Sequence, residues 1–463
     1  MTLDELWMRY FSLGGAAGRL EVEAYLYGLM ALSAGQRDML AHAVNERLAE
    51  LAPAVPAPYS RPLREAHRQA GPLAALVELL EGAHLAAPED LPAVVAAAGR
   101  ALGTQIVIYV VDYAQRELIP LTPRDAPARS ERLGVDSTLA GRAFGHLQVL
   151  PTDTDGQTRL WVPLVHGSER LGVLEVLVGD ASDLYDPLLR EELRWLATQT
   201  GHLLTALSSN GDALKRARLT QARTPWAELI WSLLPPLAAA TAAVSVAGLV
   251  EPSAQVGGDV FDYALGATTV SLAIFDGMGH ELTAGLMAAA ALSASRAARC
   301  DGRGLDEQAR AIDQVIAAHF DDALLTGVLA DLDLTTGRLR YLAAGHPHPL
   351  LLRQGRIVKT LTDGRRTPFG LASPHVTLGE ESLEPGDWLV LHTDGVTEAR
   401  DPDGVFFGEH RLLDFLEREA ASGHPPAETV RGLMRAVLTH QRGVLQDDAT
   451  VLLARWDASN VTA

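Results

Sequence analysis

Acidic residues in the second half of the chain repeat one local pattern. Asp259 follows Gly257 and Gly258, Asp276 closes an apolar run and precedes Gly277, and Asp394 closes another and precedes Gly395. Asp447 and Asp448 stand just before the apolar run Thr450 to Leu453. A carboxylate supplies the hard oxygen that magnesium or manganese prefers, and a neighbouring glycine lets backbone and ion approach closely. One Asp-Gly pair is ordinarily only a turn. Its recurrence at the ends of apolar strands within one half-chain points to divalent-metal chemistry.

Competing chemistries fail on spacing. A cysteine phosphatase needs arginine six positions after its nucleophile, and the residue six after Cys300 is Asp306. His280-Glu281 is followed by Leu282, Thr283 and Ala284, which excludes a zinc protease of the H-E-x-x-H type. There is no G-x-x-x-x-G-K-[ST] loop for a Walker-type nucleotide site. The lone Cys300 cannot build a disulfide framework, which fits a reducing, cytoplasmic setting. A formal net charge of -19 argues against nucleic acid as a main partner. The opening MTLDELWMRYF lacks a basic region followed by an apolar run, so no signal peptide is expected. Leu229 to Val250 carries no charge and reaches the roughly 20 residues a membrane span needs. Pro235 and Pro236 interrupt it, and a turn followed by a strand from Ala243 to Val250 is the simpler reading, with no membrane contact.

The elements that must position these residues fall into an α+β pattern. At 463 residues, roughly 100–200 per domain gives two to four domains. Residues 1–62 read as a helical module, with helices near Leu3–Phe11, Leu20–Leu32 and Ala34–Leu51 and a proline-rich stretch from Pro53 to Pro62. Residues 72–207 read as a helix, strands (Gln105–Asp112, Leu118–Leu121, Arg159–His166, Arg170–Val178) and a closing helix over Pro187–Leu207. Within that helix Leu193, Leu196, Thr200, Leu203 and Leu207 approximate a heptad seam, either a short coiled coil or a packing face. A linker follows over 208–224. Residues 225–457 alternate apolar strands (Thr268–Phe275, Gly327–Leu334, Leu339–Ala344, Leu350–Arg353, Trp388–His392) with two long helices near Leu282–Arg299 and Leu305–Phe320.

The segments EPSAQVGGDVFDY (251–263), FDGMGHE (275–281), AAGHPHPLLL (343–352), TPFGLA (367–372), HTDGVTEAR (392–400) and QDDATVLL (446–453) together resemble the successive motifs of the SpoIIE-type branch of the PPM protein phosphatases. That resemblance implies a β-sandwich flanked by helices, an α-β-β-α arrangement, with two divalent ions, manganese or magnesium, at one edge. Carried over by position, Asp276 bridges both ions and the Gly277 carbonyl binds one. Asp259 holds the second, partly through water, and Asp394 and Asp447 complete the first ion's shell. Asp448 occupies the neighbouring position and competes with Asp447 as direct ligand; Asp262 matches an outer acidic position. His346 and His348 flank Pro347 in a turn, where shaping is the expected role, and His280 helps form the loop before the next helix. Relatives often carry glutamine in the helix before the Leu-Leu-Pro turn, where this chain has Trp231.

Residues 72–207 resemble a GAF sensor domain through VDSTLAGRAF (135–144) and the strand pair WVPLV and RLGVLEVL. That domain holds an unknown small ligand or serves only for dimerisation. The resemblances imply a cytoplasmic protein serine/threonine phosphatase, and the heptad-like seam, with the N-terminal module, leads to the expectation of a homodimer. Its substrate would be a phosphorylated regulatory protein, an anti-anti-sigma factor with a STAS fold. The alternative is a catalytically silent scaffold that binds the same partner.

Overall fold

The computed structural model describes residues 1–51, 70–124, 131–154, 157–252, 255, 257–279, 282–321, 323–371, 376–443 and 445–457. The Pro53–Pro62 stretch and His280 lie outside them. The chain divides into two compact units, Met1–Gln69 and Ala70–Ala463. The second contains both the expected sensor and the expected catalytic residues.

The first unit has helices α1 (Leu3–Ser12), α2 (Arg19–Leu26) and α3 (Ala34–Leu51). Thr2 and Glu5 form a reciprocal capping box that starts α1 by satisfying two orphan amides. Leu6, Tyr10, Val22, Leu40 and Ala43 make a small core, and the Tyr10 hydroxyl hydrogen-bonds Gln36. Helix α2 is shorter than its apolar pattern suggests. Gly28 adopts φ 73, a left-handed conformation that ends a helix readily.

The second unit begins with α4 (Pro72–Ala83) and α5 (Leu91–Ala101). Six strands follow, β1 (Gln105–Val111), β2 (Glu117–Leu121), β3 (Leu133–Gly134), β4 (Leu150–Thr154), β5 (Gln157–His166) and β6 (Glu169–Leu177). They form one antiparallel sheet ordered β3-β2-β1-β6-β5-β4. Alternation along β1 divides its side chains between two faces. Ile106, Ile108 and Val110 pack with α4, α5 and α7 (Pro187–Ser208). Tyr109 and Val111 pack with Phe144 of α6 (Leu139–His146) and with Trp161. Of the seam residues, Leu193, Leu196, Thr200 and Leu207 are buried. The seam is therefore a packing face within this core, not a free coiled-coil stripe, because an amphipathic helix buries its apolar side against the nearest sheet.

Helices α8 (Ala213–Arg218) and α9 (Pro225–Leu233) lead to the second half of the unit. Its strands are β7 (Ala238–Ala240), β8 (Val244–Glu251), β9 (Asp259–Leu265), β10 (Thr269–Gly277), β11 (Leu325–Asp333), β12 (Arg338–Ala344), β13 (Leu350–Arg353), β14 (Arg356–Thr360), β15 (Arg365–Arg366), β16 (Gly379–Ser382), β17 (Trp388–His392) and β18 (Ala449–Trp456). One sheet runs β15-β12-β11-β10-β9 with β16 beside β12, and the other runs β14-β13-β17-β18-β8-β7. A single apolar core joins them, with Phe261, Ile274, Val328, Leu342, Val390 and Leu452 all buried. Helices α10 (Leu282–Cys300) and α11 (Leu305–His319) pack on the first sheet. After the short α12 (Asp394–Thr397), helices α13 (Gly408–Ser422) and α14 (Pro426–His440) cover the second. This is the expected α-β-β-α sandwich. The uncharged stretch from Leu229 to Val250 is the end of α9, a turn, β7 and most of β8; no helix among the described residues is long and apolar enough to cross a membrane.

Charged side chains lock the two halves of this unit together. Arg170 of β6, only 3% exposed, donates to Glu428 of α14 at 2.7 Å and to the Ala427 carbonyl at 2.8 Å. Arg431 donates to Glu428 at 2.6 Å and to Asp136 at 2.7 Å. Burial pushes the Glu428 carboxyl upward, yet Arg431 and Arg170 outweigh it and hold it below the usual carboxylate range.

Candidate metal centre

The site is built where corresponding ends of the two sheets meet. Asp259 opens β9 and pairs in register with Asp276 near the end of β10. Directly opposed residues of antiparallel strands point to the same face, so two carboxylates stand side by side. The other sheet supplies Asp394, two residues beyond the end of β17, and Asp447 and Asp448, just before β18. Asp259 and Asp448 are buried, Asp276 is half-buried, and Asp394 and Asp447 are exposed, so the acids run from a buried floor to an open rim.

Hydrogen bonds fix the floor. Asp448 Oδ2 accepts from the Gly257 amide at 2.6 Å and from the Gly258 amide at 2.8 Å. Asp259 Oδ2 accepts from the Thr393 hydroxyl at 2.8 Å, and that same Oγ1 accepts from the Thr450 amide at 2.9 Å. Thr393 thereby ties one sheet to the other at the site. Two of the glycines have a steric reason. A Cβ on Gly258 would stand 2.3 Å from the Gly277 carbonyl oxygen, and one on Gly395 would stand 1.8 Å from the Asp448 carbonyl oxygen.

Burial and mutual repulsion act on these carboxyls together. Asp276 is pushed up to about 7, first by burial and then by the charges of Asp394, Asp447 and Asp448. Burial, with Asp276 and Asp448 beside it, raises Asp259 well above the usual range. Burial also raises Asp448, and burial with Glu398 and Asp447 raises Asp394. Like charges held this close favour either protonation or a cation among them. Among the described residues no three His, Cys, Asp or Glu side chains converge into a ready cage for one ion. The donor set instead fits a hard cation that keeps several waters and takes one or two carboxylates.

The remaining sequence candidates sit nearby with different work. Asp262 lies on the other face of β9 and accepts from Arg296 at 2.7 Å and Arg299 at 2.8 Å, fastening α10 to the sheet. His346 is buried, its Nδ1 is 2.8 Å from the Thr326 hydroxyl, and burial with neighbouring His392 pushes it down to about 3. It is neutral near pH 7 and shapes the floor behind Asp276, which pairs in register with Thr326. His348 is half-buried in the same turn. Sequence reasoning passed over Thr393. Its signal was weak: a polar residue between an apolar strand and the Asp394-Gly395 turn.

Residues 266–457 match the model of the family Stage II sporulation protein E (SpoIIE). Protein IcfG of Synechocystis is 28% identical over 143 residues, which is 31% of this chain and 22% of that protein. Phosphoserine phosphatase RsbU of Bacillus subtilis is 23% identical over 215 residues, which is 46% of this chain and 63% of that protein. The chain thus spans less than two thirds of the length of these curated relatives. Among solved structures, the SiaA-PP2C domain of Pseudomonas aeruginosa is 23% identical, with a TM-score of 0.43 over 54% of this chain and 99% of that domain.

Proposed function

We propose, from a C-terminal SpoIIE-family domain whose aspartates crowd one sandwich edge, that the protein is a divalent-metal-dependent protein serine/threonine phosphatase. The observation that carries this reading is the meeting of Asp259 and Asp276 from one sheet with Asp394, Asp447 and Asp448 from the other, each group's charge pressing on the next. When bound, a pair of magnesium or manganese ions supplies an acidified water and neutralises charge on the phosphoryl group.

The chain's own contribution is order and access. Asp276 stands centrally, where it suits the bridging role, with the Gly277 carbonyl beside it. Asp259 and Asp448 are oriented by Thr393 and by the Gly257 and Gly258 amides before any substrate arrives. The hydrogen bonds on Asp448 leave Asp447, at the open rim, as the freer direct ligand. Exposure of Asp394 and Asp447 lets a phosphorylated side chain of a folded partner reach the site.

The substrate we propose is a phosphoserine or phosphothreonine in a STAS-fold anti-anti-sigma factor, dephosphorylated in the cytoplasm. Residues 72–207 act as a GAF sensor of an unknown small ligand within a homodimer. The test is incubation with manganese and candidate phosphorylated STAS proteins, reading phosphate release. Release that vanishes in Asp276→Asn supports the reading. Tight partner binding with no release at saturating manganese would show a silent scaffold instead.

A further inference from the structure

The two halves of the second unit leave an open cleft beside their ion-paired seam. Two adjoining hollows, about 200 Å³ and about 410 Å³, share walls formed by Arg116, Glu251 and Leu438. Arg218 lines the smaller; Arg431, Arg435, Arg442 and Asp136 line the larger. Five arginines therefore line the cleft against two acidic residues, in a chain of formal net charge -19.

Much of that positive charge is available. Arg431 is occupied by Glu428 and Asp136. Arg116 gives one nitrogen to Glu251 at 3.1 Å, and its side chain is 50% exposed. Arg435 gives one nitrogen to Asp136 at 2.6 Å and is 57% exposed. Arg218 uses Nε on the Val111 carbonyl at 2.9 Å. Arg442, exposed just beyond α14 at φ 56, makes no side-chain hydrogen bond or ion pair among the described residues. By contrast, the sheet face beneath α6 is filled by Phe144, Trp161 and their buried neighbours.

We propose that this cleft binds a small, multiply charged anion bearing two or more phosphate or carboxylate groups. Guanidinium forks match such oxygens in pairs, and several of them around one hollow favour multivalent over single charges. The Tyr113 ring at the cleft is already covered by Arg218 at 4.4 Å and Arg223 at 3.9 Å, so charge and not aromatic stacking sets the selectivity. Arg116 is the link to the rest of the molecule. Its partner Glu251 pairs in register with Ala449, the residue after Asp448, so an anion that draws Arg116 away acts on the strand end beside the aspartates.

The inference goes beyond the phosphatase reading and does not depend on it. The test is calorimetric titration of the whole chain, stripped of metal and dialysed free of chelator, with tripolyphosphate, citrate and orthophosphate at low salt. Tripolyphosphate or citrate is expected to bind one per chain, at least about 10-fold tighter than orthophosphate. The arm that binds tighter tells phosphate from carboxylate chemistry. Arg442→Ala and Arg116→Gln should each weaken binding by about 10-fold, while Arg310→Ala, at an exposed position of α11, leaves it unchanged. Equal affinity for all three anions, or binding that the cleft variants leave intact, or equal weakening in Arg310→Ala, overturns the proposal. Metal-free titration keeps its outcome separate from any loss of turnover.

Discussion

The guanidinium carbon of Arg223 lies 4.4 Å from the ring centre of Trp231. The same group lies 3.9 Å from the ring of Tyr113 in the turn between β1 and β2, and the two rings meet edge to face at 4.9 Å. The Arg223 side chain is only 4% exposed, and burial pushes it down to about 10. Trp231 thus stacks an arginine of the linker against the edge of the β1–β6 sheet. At the start of the same helix, Trp226 stands over Gly285 of α10, where a Cβ would lie 3.2 Å from the Trp226 Cβ and 3.0 Å from the Gly257 carbonyl oxygen. Gly257 in turn donates to Asp448.

Trp231→Gln is therefore expected to cost about 1–2 kcal/mol, because a desolvated cation–π contact is worth up to about 2 kcal/mol. A double-mutant cycle with Arg223→Met, read by urea unfolding, should give a coupling of about 1 kcal/mol. Additive single effects would show that the stack contributes nothing.

Thr393→Val should remove the cross-sheet bridge while keeping the side-chain shape. It leaves the Thr450 amide without its acceptor and Asp259 without one of its donors, both buried, for a loss of about 1–3 kcal/mol. Thr393→Ser restores both contacts and most of the stability. Thermal unfolding of the pair measures the difference, and turnover should fall with Val and recover with Ser.

Turnover of p-nitrophenyl phosphate is expected to require manganese or magnesium and to vanish with chelator. Asp276→Asn should lower it by at least roughly 100-fold with the fold intact, since a neutral amide cannot offset two close cations. Asp394→Asn should behave similarly. Asp403→Asn, on an exposed turn, should be near neutral. Circular dichroism and manganese-dependent hydrolysis on all three variants check this, and near wild-type turnover in folded Asp276→Asn refutes the metal assignment.

The seam should fail in acid. Glu428 and Asp136 are both held below their ordinary values by arginines that outweigh burial. A depressed carboxylate contributes stability that is full above its unfolded pKa and is lost as pH falls through the folded one. The loss should therefore begin below about pH 4.3 and continue downward. Glu428→Gln leaves Arg170 and Arg431 short of their partner and should cost about 3 kcal/mol at pH 7. It should also flatten the acid limb of stability against pH, measured by urea midpoints from pH 3 to 7.

Sequence alone picked out the aspartates as candidates, because an acid at a strand end, with glycine beside it at Asp259, Asp276 and Asp394, is a local pattern that needs no partner to be seen. Strands such as Trp388–His392 and the alanine-rich helix from Leu282 were legible for the same reason: local period and propensity agree with the fold. Strand β9, Asp259–Leu265, escaped notice because DVFDYAL places two charges where a strand shows alternating apolar residues. Only the sheet resolves it, sending Asp259 to the site and Asp262 to Arg296 and Arg299. The Leu193 seam could not be read either way from sequence, since periodicity shows that a helix has an apolar face but not what covers it. Tertiary structure also decided the meeting of Asp276 with Asp448, the bridge through Thr393 and the stack of Arg223 on Trp231. Each depends on segments far apart in sequence being brought together by sheet packing, which no local pattern encodes.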